Sequence, residues 1–322
     1  MVFYGLEQLS GQLKIIRNAI PVEQALNDDS LPDSLKQKLR LIEEIRNFAF
    51  DSLGLKRNSN YTTFYNQHGK PVLWTLTACE PFRLKAYQWW FPFLGHVSYK
   101  GFFNKEKGLK EMQKLKSRGY DAELSPVSGW STLGWFSDPV LSNMLKRREG
   151  SLAELIIHEL THGTIFLKSN VDLNENLATF IGEQGAILFL KNKYGENSSQ
   201  LVQYLHYKSD EELYGRYILE GASKLDSLYS QTGFQNLPTK EKLKLKYSLI
   251  AEVLLGIYDL PLHNKKIYLH DFRKELLPDN TYFMSYLRYR KKQEVFDDVL
   301  NKKYHGSLKA FIEAMKEEQA LH

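Results

Sequence analysis

The segment His158-Glu159-Leu160-Thr161-His162 places two imidazoles and an acid at a spacing suited to a metal ion. On a helix, residues four apart differ by about 40° around the axis, so both rings leave the same face. Neutral imidazole is a good ligand for Zn²⁺, and two rings so placed can reach one ion. Glu159 falls on the adjoining side, where it can take a proton from a metal-bound water rather than bind the metal. The plain alternative is a pair of ordinary histidines on an ordinary helix.

A catalytic zinc takes three protein ligands and keeps one position open. A third histidine six residues after His162 is ruled out, because that position is Lys168, and the glycine expected between them is Ile165. The next acid in a suitable context is Glu175, within Asn174-Glu175-Asn176-Leu177-Ala178-Thr179-Phe180. Enough chain separates it from His162 for one helix to end, turn near 169–172, and a second to begin. On that second helix Glu175, Ala178, Thr179, Gly182 and Ala186 share a face, and all but Glu175 are small. Small residues let two helix backbones approach closely, as a carboxylate sharing a metal with the first helix requires. By itself, Glu175 could equally be an acid favouring the positive end of a helix. Glu183, further along the same helix, is a reserve ligand or an outer acid that orients an imidazole.

These side chains need elements to hold them. Ser151 and Glu154 after Gly150 read as a capping box that starts the histidine helix, expected over 152–168. Helices are expected before it at 5–20, 33–53, 106–118 and 139–147, and after it at 173–193, 198–229, 239–258, 280–301 and 307–318. Asp138-Pro139 reads as a helix N-cap with proline at the first position. Between 61 and 101 the segments Tyr61-Thr-Thr-Phe-Tyr, Val72-Leu-Trp-Thr-Leu-Thr-Ala and His96-Val-Ser-Tyr read as short strands, as do Tyr120–Leu124 and Gly129–Phe136. Helices, then strands, then helices argue for a predominantly helical α+β fold. The natural division is 1–147, with the first helices and the sheet, and 148–322, with the zinc helices and a helical C-terminal lobe, the two expected to form one compact unit.

The chain has 322 residues, 43% hydrophobic and 25% charged, which excludes disorder as its main state. Its net charge of +5 comes from Lys and Arg spread along the chain, so no nucleic-acid surface is indicated. The single cysteine, Cys79, excludes an intrachain disulfide and any cysteine-built zinc ribbon. No apolar run is long enough to span a membrane; Tyr247–Leu262 is broken by Ser248, Glu252 and Asp259. The opening residues lack a basic start and a long apolar run, so they do not read as a signal peptide.

With these residues assembled, the chain resembles the gluzincin metallopeptidases, the thermolysin-like group, through His158-Glu-Leu-Thr-His162 followed by Asn174-Glu175-x-x-Ala178. More narrowly it resembles a bacterial family labelled "predicted aminopeptidase". That likeness adds Gly11-Gln12-Leu13, Glu44-Ile45-Arg46-Asn47-Phe48-Ala49 and the run Ser131-Thr-Leu-Gly-Trp-Phe-Ser-Asp-Pro-Val-Leu141. The resemblance implies a zincin-like core holding one Zn²⁺ through His158, His162 and Glu175, with Glu159 as general base and a peptide as substrate. It also implies a cell-envelope or periplasmic location, with a leader or lipid anchor before the Gly-Gln-Leu region. The chain departs from it twice. The Gly-x-Met-Glu-Asn segment with which gluzincin aminopeptidases hold a free amino group is absent, so exo- and endopeptidase action both stay open. A cysteine pair that flanks the Phe-Pro segment of the narrower family is also missing from Trp90-Phe91-Pro92-Phe93-Leu94-Gly95-His96.

Two weaker signals complete the candidate site. Gly129, Trp130, Ser131 and Thr132 begin a strand that would either edge the cleft and pair with the substrate backbone or serve as an ordinary sheet strand. Tyr282, Tyr286 and Tyr289 form a helical stripe; Tyr286 is the candidate oxyanion donor, and the same stripe is what a core face looks like. His206, His263, His270 and His305 have no partner at ligand spacing. The competing classes are a metal-binding regulatory protein without turnover and a helical interaction protein with a fortuitous histidine pair.

Overall fold

The computed structural model describes residues 2–91, 95–127, 137–167, 171–269, 277–289 and 293–320. In chain order its elements are α1 (Val2–Asn18), β1 (Ile20–Pro21), α2 (Val22–Leu26), α3 (Asp33–Asp51), β2 (Thr63–Tyr65), β3 (Trp74–Cys79), β4 (Trp89–Phe91), β5 (Gly95–Val97), β6 (Tyr99–Phe102), α4 (Lys105–Ser117), β7 (Asp121–Pro126) and β8 (Val140–Leu141). There follow α5 (Glu149–His162), α6 (Val171–Tyr194), α7 (Ser199–Ser230), α8 (Thr232–Gln235), α9 (Thr239–Gly256), α10 (Lys265–Tyr268), α11 (Asn280–Tyr289), α12 (Gln293–Tyr304) and α13 (Leu308–Ala320). The fold is α+β and predominantly helical, as the sequence pattern requires.

The chain forms two compact units, each discontinuous in sequence. The first combines Leu73–Pro126 with Leu205–Arg290; the second combines Val2–Val72, Val127–Tyr204 and Lys291–His322. The boundary expected between 147 and 148 falls inside the second unit.

In the first unit, β3 is the centre of an antiparallel sheet ordered β6-β3-β7. Leu76, Ala78, Phe102, Leu115 and Ala122 form the core between this sheet and α4. A larger core joins α7, α9 and α11 through Ile218, Leu225, Ile250, Val253 and Phe283. Lys246 of α9 is wholly buried and ion-paired to Asp121 of β7. The same carboxylate accepts from the backbone N–H of Asn280 at 3.0 Å. A buried charge is tolerated only with such a paired and hydrogen-bonded partner.

In the second unit, a small sheet ordered β1-β2-β8 pairs β2 antiparallel to β1 and parallel to β8. Around it pack the helices that matter for the site. Leu39, Ile42, Ile45 and Ala49 of α3 are buried, and α3 packs against α5. On α5, Leu152, Ile156, Ile157 and Leu160 have no exposed surface. Burying each is worth about 1.5–3 kcal/mol relative to leaving it in water. Phe180 of α6 holds Phe296 of α12 and Phe311 of α13 at centroid distances of 5.5 and 5.6 Å.

Three local expectations are corrected. Residues 139–147 are not a helix: Val140 and Leu141 pair in parallel with Phe64 and Tyr65, and only Met144–Lys146 makes a 3₁₀ turn. Asp138 is therefore not a helix cap; it is buried ahead of a strand, with its N–H donating to Asn60 Oδ1 at 3.2 Å. The histidine helix begins at Glu149, not at a Ser151 capping box, and it ends at His162 with Gly163 as C-cap. Glu154 instead accepts from the Tyr204 hydroxyl at 3.0 Å. The expected strand 129–136 lies outside the described residues.

Candidate metal centre

The apolar residues of α5 take one side of the helix into the core, and this leaves His158, Glu159 and His162 on the other. Both rings are largely buried, with side-chain exposures of 20% and 10%, whereas Glu175 is 47% exposed. The cluster is thus walled by protein on the imidazole side and open to solvent at the carboxylate. Among the described residues it is the one group of three His, Cys, Asp or Glu whose ligand atoms lie within 4.8 Å of one another. All three belong to the second unit.

The two Nε2 atoms are 3.2 Å apart, and the rings meet edge to face at 84°. The Glu175 carboxylate straddles the pair, with Oε2 3.6 Å from His158 Nε2 and Oε1 3.5 Å from His162 Nε2. Ligand atoms of a tetrahedral zinc with bonds of about 2.0–2.1 Å sit about 3.3 Å apart. The spacing of the two ring nitrogens fits such an ion, and each carboxylate oxygen of Glu175 faces one ring. Two ring nitrogens at this distance can share either a proton or a metal ion between them.

Electrostatics reflect the same crowding. Burial alone would lower His158, but hydrogen bonding to Glu175 and the charges of Glu159, Glu175 and Glu154 outweigh it and raise its pKa. Burial, followed by repulsion from His158, pushes His162 down to about 4. Hydrogen bonding from His158 holds Glu175 below the usual carboxylate range. The trio favours one positive charge on His158, beside a neutral His162 and an ionised acid.

The close helix approach comes from α6. A Cβ on Gly182 would lie 2.8 Å from the carbonyl oxygen of Glu154 and 3.1 Å from Cβ of His158. Ala178 and Ala186, on the same small face, are fully buried. Asn174 sets the start of the helix: its Oδ1 accepts from the Leu167 N–H and its Nδ2 donates to the Leu167 carbonyl, both at 2.8 Å. This amide clasps the chain that leaves α5 to the residue preceding Glu175. The segment Asn174-Glu175 was visible in the sequence; the clasp was not, since its partner is a backbone group.

The other candidates are distributed as follows. Glu183 is outside the ligand cluster. Gly129, Trp130, Ser131 and Thr132 lie outside the described residues. Tyr286 belongs to the first unit, where its ring packs 5.6 Å from Tyr282 and 5.9 Å from Tyr214, and burial pushes its phenol up. His206 and His263, which the spacing left apart, are stacked with ring centroids 3.8 Å apart and planes at 4°. His270 lies outside the described residues.

Comparison with known proteins gives one result. No curated protein and no solved structure matches the chain. A family model does match, and it runs over residues 3–322, so the chain belongs to the family described as "Putative aminopeptidase".

Proposed function

We propose that this chain is a zinc-dependent peptidase in which His158, His162 and Glu175 hold the ion and Glu159 is the general base. The observation that carries the proposal is the convergence of two imidazole nitrogens 3.2 Å apart on one carboxylate, whose two oxygens lie 3.6 and 3.5 Å from them. The membership of nearly the whole chain in an aminopeptidase family supports the same reading. Zinc, when bound, would polarise the scissile carbonyl and make a bound water more acidic, toward a pKa of about 7. Glu159, on the same helix turn, takes the proton of the attacking water and then passes it to the leaving amine. The half-exposed Glu175 leaves the open side of the cluster for a peptide. Two further parts rest on the resemblance: Gly129, Trp130, Ser131 and Thr132 as the edge that pairs with substrate, and work in the cell envelope.

The test is metal analysis of protein purified without a chelating tag, paired with digestion of free-amine and blocked-amine peptides. The expected result is one zinc per chain, with cleavage that chelator abolishes and zinc restores. Preference for free amines would assign exopeptidase action. Cleavage that survives complete zinc removal, or zinc without cleavage across a broad peptide library, would overturn the proposal.

A further inference from the structure

The chain that leaves the histidine helix is fastened from three places in the second unit. Thr164 Oγ1 accepts from the Lys56 N–H at 3.0 Å and donates to the Leu160 carbonyl at 2.9 Å. Leu167 is held by Asn174 of α6. Between them, the Phe166 N–H donates to Oε1 of Gln319 on α13 at 3.1 Å. Gln319 lies 153 positions further along the chain. This tie is therefore none of the local capping that ordinarily serves backbone groups at a helix end.

The pattern of α13 explains how it can reach. Ile312, Met315, Lys316 and Gln319 are three, four and seven positions apart and so share one face. Ile312 is fully buried, and Met315, Lys316 and Gln319 are partly buried. Phe311, 1% exposed, anchors the helix against Phe180 of α6. Just before Gln319 on this face, Lys316 Nζ donates to the Gly54 carbonyl, shortly after α3 ends. Gly54 sits at φ +76°, and a Cβ there would lie 2.8 Å from Oε1 of Glu313. Glycine supplies both the left-handed backbone and the room that α13 needs.

These bonds close a circuit: α13 to Gly54, Lys56 to Thr164, and Phe166 back to α13. It passes through the point where α5 ends, and the last residue of α5 is His162. Helix ends fray, so a ligand on a last turn stays in place only if the chain beyond it is tied. We propose that Gln319 is a positioning residue of the metal centre. By accepting from the Phe166 N–H it keeps the last turn of α5 closed, and with it the His162 ring at the spacing one ion needs. The consequence for the metal rests on the reading of the site given above; the bond does not.

The test compares Gln319→Ala and Gln319→Glu with the wild-type full chain. Glutamate keeps an acceptor oxygen. Alanine removes it while favouring a helix, so its effect is not a loss of α13 itself. In zinc-free protein, amide hydrogen exchange at Phe166 is expected to quicken about tenfold in Gln319→Ala and to stay near wild type in Gln319→Glu. Isothermal titration is expected to show zinc bound about tenfold more weakly by Gln319→Ala, with Gln319→Glu close to wild type. Unchanged exchange at Phe166 in Gln319→Ala overturns the bond. Equal zinc affinity in all three proteins, or an equal fall in both variants, overturns the positioning role. If the wild-type chain takes up no zinc, the metal reading fails and the role with it, while the exchange rates alone decide the bond.

Discussion

On the proposed reading, Glu159 and Asn174 divide the work of the site between chemistry and placement. Glu159 is adjacent to a ligand but belongs to no ligand edge, so Glu159→Gln is expected to retain one zinc per chain and to lose hydrolysis. Elemental analysis beside a peptide assay checks this; full zinc with undiminished turnover would refute the base assignment. Asn174 makes the opposite prediction. Its amide both donates to and accepts from Leu167 and is 5% exposed. Asn174→Ala leaves two partly buried backbone groups of Leu167 without their side-chain partner, a loss of about 1 kcal/mol or more. It is expected to lower the melting temperature and to weaken zinc binding, because Glu175 follows directly on the same turn. Asn174→Asp keeps the acceptor for the Leu167 N–H and loses only the donor, so it should fall between. Zinc titration of the three proteins orders them, and equal affinities would show that the clasp does not place Glu175.

At the scale of elements, the site depends on how nearly α5 and α6 touch. Gly182 faces backbone rather than a yielding side chain, since the nearest atom to a Cβ there is the Glu154 carbonyl oxygen. Gly182→Ala must push the helices apart, at a cost of about 1–3 kcal/mol for overpacking. Separation also moves Glu175 away from the imidazoles. Zinc affinity is therefore expected to fall at least tenfold, while Gly233→Ala, where a Cβ meets nothing within 4 Å, leaves it unchanged. Isothermal titration with zinc measures both. This contact was legible in advance, because Ala178, Thr179, Gly182 and Ala186 recur at helical spacing. The long helices were legible for the same reason of periodicity. What escaped was non-local. Val140 and Leu141 are apolar residues that a helix could use as well as a strand, and only pairing with Phe64 and Tyr65 decides between them. Ser151 and Glu154 had the spacing of a cap, but Glu154 is claimed by Tyr204 from another helix. The left-handed backbone at Tyr61 has no signature in a residue type that ordinarily avoids it.

For the whole molecule, the division into units sets what can be cut. Each unit is assembled from separated stretches, and the histidine helix takes its apolar support from α3, more than a hundred residues earlier in the chain. A fragment of residues 148–322 keeps His158, Glu159, His162 and Glu175, and a motif-centred view would expect it to suffice. It lacks Leu39, Ile42 and Ile45 of α3, and β2 as the partner of β8, so it leaves the α3 side of α5 open to water. It also removes β3, β6 and β7 from the first unit, and with β7 goes Asp121, which leaves Lys246 as a buried charge without its acid. Breaking one side of such a pair typically costs about 3–5 kcal/mol, comparable to a large share of a domain's stability of about 5–15 kcal/mol. The fragment is expected to show helical circular dichroism without a cooperative melt, and to bind zinc far more weakly than the full chain. Thermal melts with and without zinc check this. A sharp transition in the fragment, raised by zinc to the same extent as in the full chain, would mean that α5, α6, α12 and α13 hold the metal geometry without α3.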